Sequence, residues 1–385
     1  MHIAWLGKKS PFCGNVTYSR EVTNALLDRG YQVSFLHFAD EEEEPNQDQW
    51  PGFKEVSLPF LYKSQVYTIP TLKSSKILAR SLQKLKPDVV HASLTLSPLD
   101  FLLPEICEEL NIPLVATFHA QFDTKRRNLK SGTQLLAYQL YAPFLANYDR
   151  TIIFSQVQRD LLARLGVPKA KIAVIPNGVD VQKYSPGPSN LKSKLKAQRV
   201  FVYLGRISTE KNIEALLKGW NQSDMGQGSK LVIVGDGPLR PSLEPIYNSE
   251  DGIIWWGVEA DEQRRIEILR GSDVFVLPSL VEGLSLSLLE AMACGLACLA
   301  TDAGADGEVL EKGAGVVIKT QRVVTELRTL LPVFRDHSEL TTLLGQKARA
   351  RVLERYTLRN NISQLEKLYT EVLQERKVPL SGRRY

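Results

Sequence analysis

The chain has 385 residues, 43% of them hydrophobic, and carries 48 lysines and arginines against 43 aspartates and glutamates, a formal net charge of +5. That length and apolar content exceed what one core usually holds, which predicts two domains. No apolar run reaches the roughly 18 to 20 residues that cross a bilayer, and "MHIAWLGKKS" reads as a short strand followed by lysines, not as a signal peptide. The expectation is a soluble, cytoplasmic protein whose modest charge gives little reason for a nucleic-acid partner.

From the amino terminus, β-branched and aromatic runs alternate with helical periodicity. "HIAWL" reads as a strand, residues 15–29 as a helix closed by Gly30, and "QVSFL" as the next strand. From Val56 to Lys86 no acidic residue occurs. On a helix there, Lys73, Lys76, Arg80 and Lys84 form one stripe with Leu78, Leu82 and Leu85 roughly opposite. "DVVHA" and "PLVATF" follow as strands, the second running into His119. A further acid-free stretch then holds Lys125, Arg126, Arg127 and Lys130 among tyrosines and leucines. Both basic stretches suit an anionic membrane surface; a solvated helix whose apolar side packs on a sheet accounts for the first equally well. "RTIIF" and "IAVIP" complete the first half, and "PNGVDVQKYSPGPSN" at 176–190 reads as a linker.

The second half repeats the rhythm with "VFVYLG", "KLVIVGDG", "IIWWG", "DVFVLP" and "ACLATD", and residues 336–376 read as helix with no strand after them. Such alternation predicts an α/β protein of two doubly wound parallel sheets facing across a cleft, with ligand groups at the carboxyl ends of strands. Polar residues gather there: Gly14 and Asn15, His119, Asn177, Arg206 and Lys211, Asp236, and Glu282 and Glu290. Pro278 excludes one helix through both glutamates, so Glu282 falls in a loop. Ser287 and Glu290 have capping-box spacing, so a helix is expected to start near Ser285 to Ser287 and to present free amides to an anion. The plainer alternative leaves Glu290 as a cap and Glu282 as a solvated loop residue. Arg206 and Lys211 follow a strand directly, and their spacing lets both cations meet one anion. Cys13, Cys107, Cys294 and Cys298 lack the pairing of a zinc site and are expected to be buried free thiols. No D-x-D metal motif is present.

"GRISTEKN", "VGDGP" and "PSLVEGLSLSLLEAMACG", together with "KPDVVHA", "ATFHA" and "PNGVD", resemble the family-four retaining glycosyltransferases of the GT-B fold. The resemblance implies an acceptor-side Rossmann-like domain at 1–178, onto which the helix at 357–385 packs back, and a nucleotide-sugar domain at 179–356. It implies transfer of a hexose from a nucleotide diphosphate sugar with retained configuration, without a metal ion or cofactor. Arg206 and Lys211 would then neutralise the leaving diphosphate, Glu282 bind hydroxyls of the sugar, Glu290 those of the ribose, and His119 approach the sugar. Gly14, Asn15, Asp236, Leu284, Ser285, Leu286 and Ser287 would complete the donor site. Asn15 stands where the family usually has a second glycine, and Ala297 and Ala305 replace a common proline and glycine. The segment "IAWLGKKSPFCGNVTYSREVTNALLDRG" resembles, more narrowly, cyanobacterial galactosyltransferases that form digalactosyldiacylglycerol. That implies UDP-galactose as donor, monogalactosyldiacylglycerol as acceptor and a peripheral position on the cytoplasmic face of a membrane. A soluble or polysaccharide acceptor, and a non-catalytic sugar-nucleotide binder, are the other readings.

Overall fold

The computed structural model describes residues 1–10, 13–39, 54–64, 67–120 and 129–377, the side chains of 129–135 and 377 excepted. The chain forms two compact units, one from Met1–Ala120, Thr133–Pro176 and Leu358–Tyr385, the other built on Asn177–Thr357.

The first unit holds strands β1 (His2–Gly7), β2 (Gln32–Phe38), β3 (Lys54–Leu58), β4 (Phe60–Lys63), β5 (Thr68–Pro70), β6 (Val89–Ser93), β7 (Leu114–Thr117), β8 (Arg150–Ile153) and β9 (Ile172–Val174). Seven of them pair in parallel in the order β3-β2-β1-β6-β7-β8-β9, while β4 and β5 make an antiparallel hairpin. The central strands β1, β6 and β7 are buried along almost their whole length, as expected where helices cover both faces of such a sheet, and His91 and Ser93 of β6 and Thr117 of β7 are polar groups within that interior. Edge strand β3 and the hairpin were not foreseen: Lys54, Glu55 and Ser57 of β3 are exposed, so the apolar run that announces a buried strand is missing. The first helix, Gly14–Asp28, begins one residue before the expected position and ends ahead of Gly30, whose φ of 82° turns the chain into β2.

The helix Leu358–Lys377 supplies Ile362, Leu365, Leu368, Tyr369 and Val372 to the core built by Trp5, Val22, Phe35 and Val115. Tyr369 Oη and His91 Nδ1 lie 2.5 Å apart, His91 Nε2 meets Thr117 Oγ1 at 2.8 Å, and the His91 ring stacks on Trp5 with centroids 4.0 Å apart. A helix near the end of the chain thus closes the face over its first strand.

The second unit holds β10 (Arg199–Leu204), β11 (Ser229–Val234), β12 (Ile253–Gly257), β13 (Val274–Leu277), β14 (Ala297–Thr301) and β15 (Val316–Ile318), all parallel in the order β12-β11-β10-β13-β14-β15. In both sheets the order reverses beside the unit's first central strand, between β1 and β6 and between β10 and β13. Loops leaving neighbouring strands diverge there, and ligands of doubly wound sheets sit at such points.

The basic helix spans Ser74–Leu85, with Leu78 and Leu82 fully buried and Lys73, Lys76, Arg80 and Lys84 exposed. Lys125, Arg126 and Arg127 lie outside the described residues, as does the side chain of Lys130. Cys107, Cys294 and Cys298 are buried free thiols; Cys13, at the mouth of the first helix, is only half-buried, which corrects the expectation for that residue. Among the described residues no helix is long and apolar enough to cross a membrane.

Burial, helped by neighbouring His119, lowers the pKa of His91 to about 3. The unfolded chain takes up the proton at its ordinary pKa near 6.5 and the folded chain does not, so this group's contribution to stability is lost as pH falls from about 6.5 toward 3. Asp100, raised to about 6 by burial, acts in the opposite direction. Denaturant unfolding between neutral pH and about pH 4.5 should show wild type losing more stability than His91→Gln. Equal slopes would show that the folded ring accepts the proton.

Candidate functional site

At the switch point of the second unit, β10 is followed by Gly205 and the exposed Arg206, whose carbonyl accepts from Tyr203 Oη at 2.8 Å. The loop after β11 lies against this turn backbone to backbone, with Ile207 N donating to Asp236 O at 2.9 Å and Leu239 N to Ile207 O at 3.1 Å. A Cβ on Gly235, where φ is 135°, would fall 1.9 Å from Gly205 O. The glycines of "VGDGP" therefore permit contact between loops. Asp236 is exposed, and its Oδ1 accepts from Gly237 N at 2.8 Å within its own turn.

Lys211 closes the short 3₁₀ turn Thr209–Lys211, and its Nζ meets Glu282 Oε1 at 2.5 Å. Ser279 Oγ donates to the same oxygen at 2.7 Å, and Thr301 Oγ1 donates to Ser279 O. With 4% of its surface exposed, Glu282 is not the solvated loop residue of the plainer alternative. Its loop is gripped from behind: a Cβ on Gly304, at φ 58°, would lie 2.3 Å from Glu282 O, and Ala305 N donates to Gly283 O at 2.8 Å.

The helix after this loop spans Leu286–Ala293 with Ser285 as its N-cap, Ser285 Oγ accepting from Leu288 N at 3.3 Å and lying 3.1 Å from Ser287 Oγ. The expected capping box is therefore not formed. The start lies within the expected span of Ser285 to Ser287, but the cap is Ser285, whose N donates to Asp306 Oδ1 at 3.0 Å, so Ser287 is the second helical residue and Glu290 the fifth. The amides of Leu286 and Ser287 make no hydrogen bond among the described residues, leaving two donors at the positive end of the helix. Leu284 is buried, and its carbonyl accepts from Asn177 Nδ2 at 3.0 Å. Glu290 is partly buried within electrostatic reach of Tyr184 and Cys294.

Asp306 is the residue that sequence reasoning passed over. It is fully buried, its Oδ2 has no partner among the described residues, and burial followed by the nearby Glu282 charge pushes its pKa well above the ordinary carboxylate range. The available signal was an acidic residue inside the small-residue run "DAGADG", which an exposed loop explains as readily.

At the switch point of the first unit, Gly14 is exposed and a Cβ there would touch nothing within 4 Å, so packing does not demand glycine. Asn15 Nδ2 donates to Leu94 O at 3.0 Å, Ser93 Oγ lies 2.8 Å from Asn15 Oδ1, and the same hydroxyl lies 2.8 Å from His119 Nε2. The His119 ring meets Tyr18 edge-on at 4.8 Å and tilts against Phe154 at 5.3 Å. Burial, with the charge of Lys8, lowers its pKa to about 3, so the imidazole is neutral at physiological pH. Lys8 is itself buried, and its Nζ donates to Ser64 O at 3.0 Å.

Chemically, the second unit offers an exposed guanidinium, an ammonium paired with a buried carboxylate, and two unbonded amides at a helix start. That donor set suits a polyanion, with the carboxylate an acceptor for hydroxyls. Among the described residues no group of three or more histidine, cysteine or acidic side chains is placed to hold a metal ion.

Residues 13–183 match the family described as Glycosyltransferase Family 4, and residues 198–331 the one described as Glycosyl transferases group 1. The UDP-Gal:alpha-D-GlcNAc-diphosphoundecaprenol alpha-1,3-galactosyltransferase of Escherichia coli is 29% identical over 325 residues, covering 79% of this chain and 81% of that one. Alpha-monoglucosyldiacylglycerol synthase of Streptococcus pneumoniae is 28% identical over 304 residues, 74% of this chain and 67% of that one. Among solved structures, sucrose-phosphate synthase from Thermosynechococcus elongatus superposes with a TM-score of 0.77 at 19% identity, over 97% of this chain and 99% of that one. The two family matches take in the switch-point loops of both units and most of the chain, and the chain belongs to the family-four glycosyltransferases of the GT-B fold.

Proposed function

We propose that the protein transfers a hexose from a nucleotide diphosphate sugar to an acceptor hydroxyl with retention of configuration. The observation that carries this reading is the Lys211–Glu282 pair at the second switch point, in the loop that leads to the unbonded amides of Leu286 and Ser287. The diphosphate meets those amides and Arg206, with Lys211 between the phosphate charge and Glu282. Glu282 accepts from a hydroxyl of the hexose, and Glu290 from the ribose. The acceptor oxygen bonds to the anomeric carbon on the face from which the diphosphate departs; the anomeric C–O bond breaks, its electron pair goes to the phosphate oxygen, and the acceptor proton follows. Arg206, Lys211 and the helix start stabilise the leaving charge, so no metal ion is called for, and catalysis is positioning and electrostatic preorganisation.

UDP-galactose is the proposed donor and monogalactosyldiacylglycerol the proposed acceptor, giving digalactosyldiacylglycerol. Support comes from the E. coli relative, named for UDP-Gal and a diphosphoundecaprenol acceptor, and from the S. pneumoniae relative, named for a glucosyldiacylglycerol. The first unit adds a surface suited to lipid. Hairpin β4–β5 exposes Leu61, Tyr62, Tyr67 and Ile69, and Leu72, 98% exposed, stands just before the basic helix Ser74–Leu85. Apolar side chains beside a row of cations fit an anionic bilayer, and a peripheral position on the cytoplasmic face is part of the proposal.

Arg206→Ala or Lys211→Ala should each reduce turnover by about 100-fold or more, the scale of losing one preorganised charge-stabilising donor. Near-normal rates in both variants would remove them from the mechanism. Gly304→Ala adds a Cβ where the Glu282 carbonyl stands and should displace the Glu282 loop, lowering kcat/KM by at least about 10-fold with the fold intact by circular dichroism. Mass spectrometry of products from UDP-galactose with monogalactosyldiacylglycerol, a sugar phosphate or a polysaccharide tests the acceptor; product only on a soluble acceptor would replace the lipid reading. Each of Lys73, Lys76, Arg80 and Lys84 should add about 1 kcal/mol of attraction to anionic vesicles, so reversing the four to glutamate should release the protein. Wild type that ignores anionic vesicles at low salt would end the membrane proposal.

A further inference from the structure

Asn15, the second residue of the first helix, has a direct connection to His119. Asn15 bonds Leu94 O through one side-chain atom and faces Ser93 Oγ with the other, and Ser93 Oγ in turn faces His119 Nε2. Chemistry sets the direction of each bond. A backbone carbonyl only accepts, so the atom of Asn15 facing Leu94 O is the NH₂ group and the one facing Ser93 is the carbonyl oxygen. That oxygen also only accepts, and Ser19 Oγ approaches it at 3.4 Å as a second donor. The single hydroxyl proton of Ser93 is therefore committed to Asn15. Ser93 can only accept from His119, which requires the proton of the ring on Nε2.

The ring is neutral, because burial and Lys8 hold its pKa near 3, so Nδ1 carries no proton. Nδ1 makes no hydrogen bond among the described residues. Tyr18, edge-on at 4.8 Å, and Phe154, tilted at 5.3 Å, pack against the ring. We propose that Asn15 and Ser93 are positioning residues that lock His119 as the Nε2–H tautomer, presenting Nδ1 as a hydrogen-bond acceptor for a hydroxyl of the transferred hexose. This rests on the reading of His119 as a group that meets the sugar. The relay itself lies wholly within the first unit and exists without substrate.

The locked tautomer has a consequence for specificity. A neutral imidazole with a bare Nδ1 engages a hydroxyl and offers no proton to an acceptor-only group such as a carboxylate at the same position. A hexose bearing a hydroxyl there is favoured over one bearing a carboxylate, which would meet a lone pair.

The test reads the tautomer and the kinetics separately. Two-bond ¹H–¹⁵N correlation spectra of the free protein at neutral pH should show His119 protonated at Nε2. In Asn15→Gly the Ser93 hydroxyl is released to donate to Nε2, and the proton should move toward Nδ1. Ser93→Ala should likewise give a mixed tautomer, whereas Ser93→Thr, which keeps the hydroxyl, should restore the Nε2–H form. With a turned-over sugar nucleotide, kcat/KM should fall about 10-fold in Asn15→Gly and Ser93→Ala, the scale of one misdirected hydrogen bond, while Ser93→Ala binds free UDP as wild type does. Wild-type His119 protonated at Nδ1 would overturn the relay whatever the activity. A tautomer that shifts in the variants with kcat/KM unmoved would overturn the role toward the hexose. Should no nucleotide sugar be turned over at all, the proposed function fails while the spectra of the free protein still decide the relay.

Discussion

The second unit is organised around one buried carboxylate. Glu282 sits at the switch point with almost no exposed surface, and an ionised group there is stable only if its lost hydration is replaced. Lys211 supplies an ammonium and Ser279 a hydroxyl to the same oxygen, and Thr301 holds the Ser279 carbonyl in turn. These partners come from the loop after β10, the loop after β13 and the end of β14, so satisfying one charge pins three neighbouring strand ends together. Burial, and then the Glu282 charge close by, push the pKa of the second carboxyl, Asp306, well above the ordinary carboxylate range while its Oδ1 accepts from Ser285 N.

That constraint explains the form of the helix start. The helix Leu286–Ala293 begins where Asp306 grips Ser285, not where the sequence places its best capping pattern, and Leu286 and Ser287 become the residues with unbonded amides. A sharp reversal of the chain through Gly304 brings the "DAGADG" segment close enough to do this. The cations, the acceptor carboxylate and the helix dipole thus arise from one packing solution.

The first unit solves a related problem with neutral groups. His91 and His119 both have lowered pKa values and meet hydroxyls: His91 meets Tyr369 and Thr117 at its two nitrogens, and His119 meets Ser93 at Nε2. Such chains of bonds couple the orientation of each hydroxyl to that of its neighbours. The helix Leu358–Lys377 enters through Tyr369, so a segment far along the chain helps to set the polar interior beneath β1 and β6.

The doubly wound architecture was legible in the sequence because strands buried on both faces read as short, mostly apolar runs, as in "FVYL" and "LVAT", and because two such sets flank a proline-rich stretch. The switch-point residues Arg206, Lys211, His119 and Glu282 were legible as polar groups directly beyond those runs. Edge strand β3 and hairpin β4–β5 were not, because an exposed edge needs no apolar run. The sequence alone determined which side chains stand at strand ends, since local periodicity sets where strands stop. Only the tertiary structure decided which of them meet. The Lys211–Glu282 pair, the grip of Asp306 on Ser285 and the line from Asn15 through Ser93 to His119 join residues 71, 21 and up to 78 positions apart, and no local pattern encodes a bond between groups that chain reversal brings together.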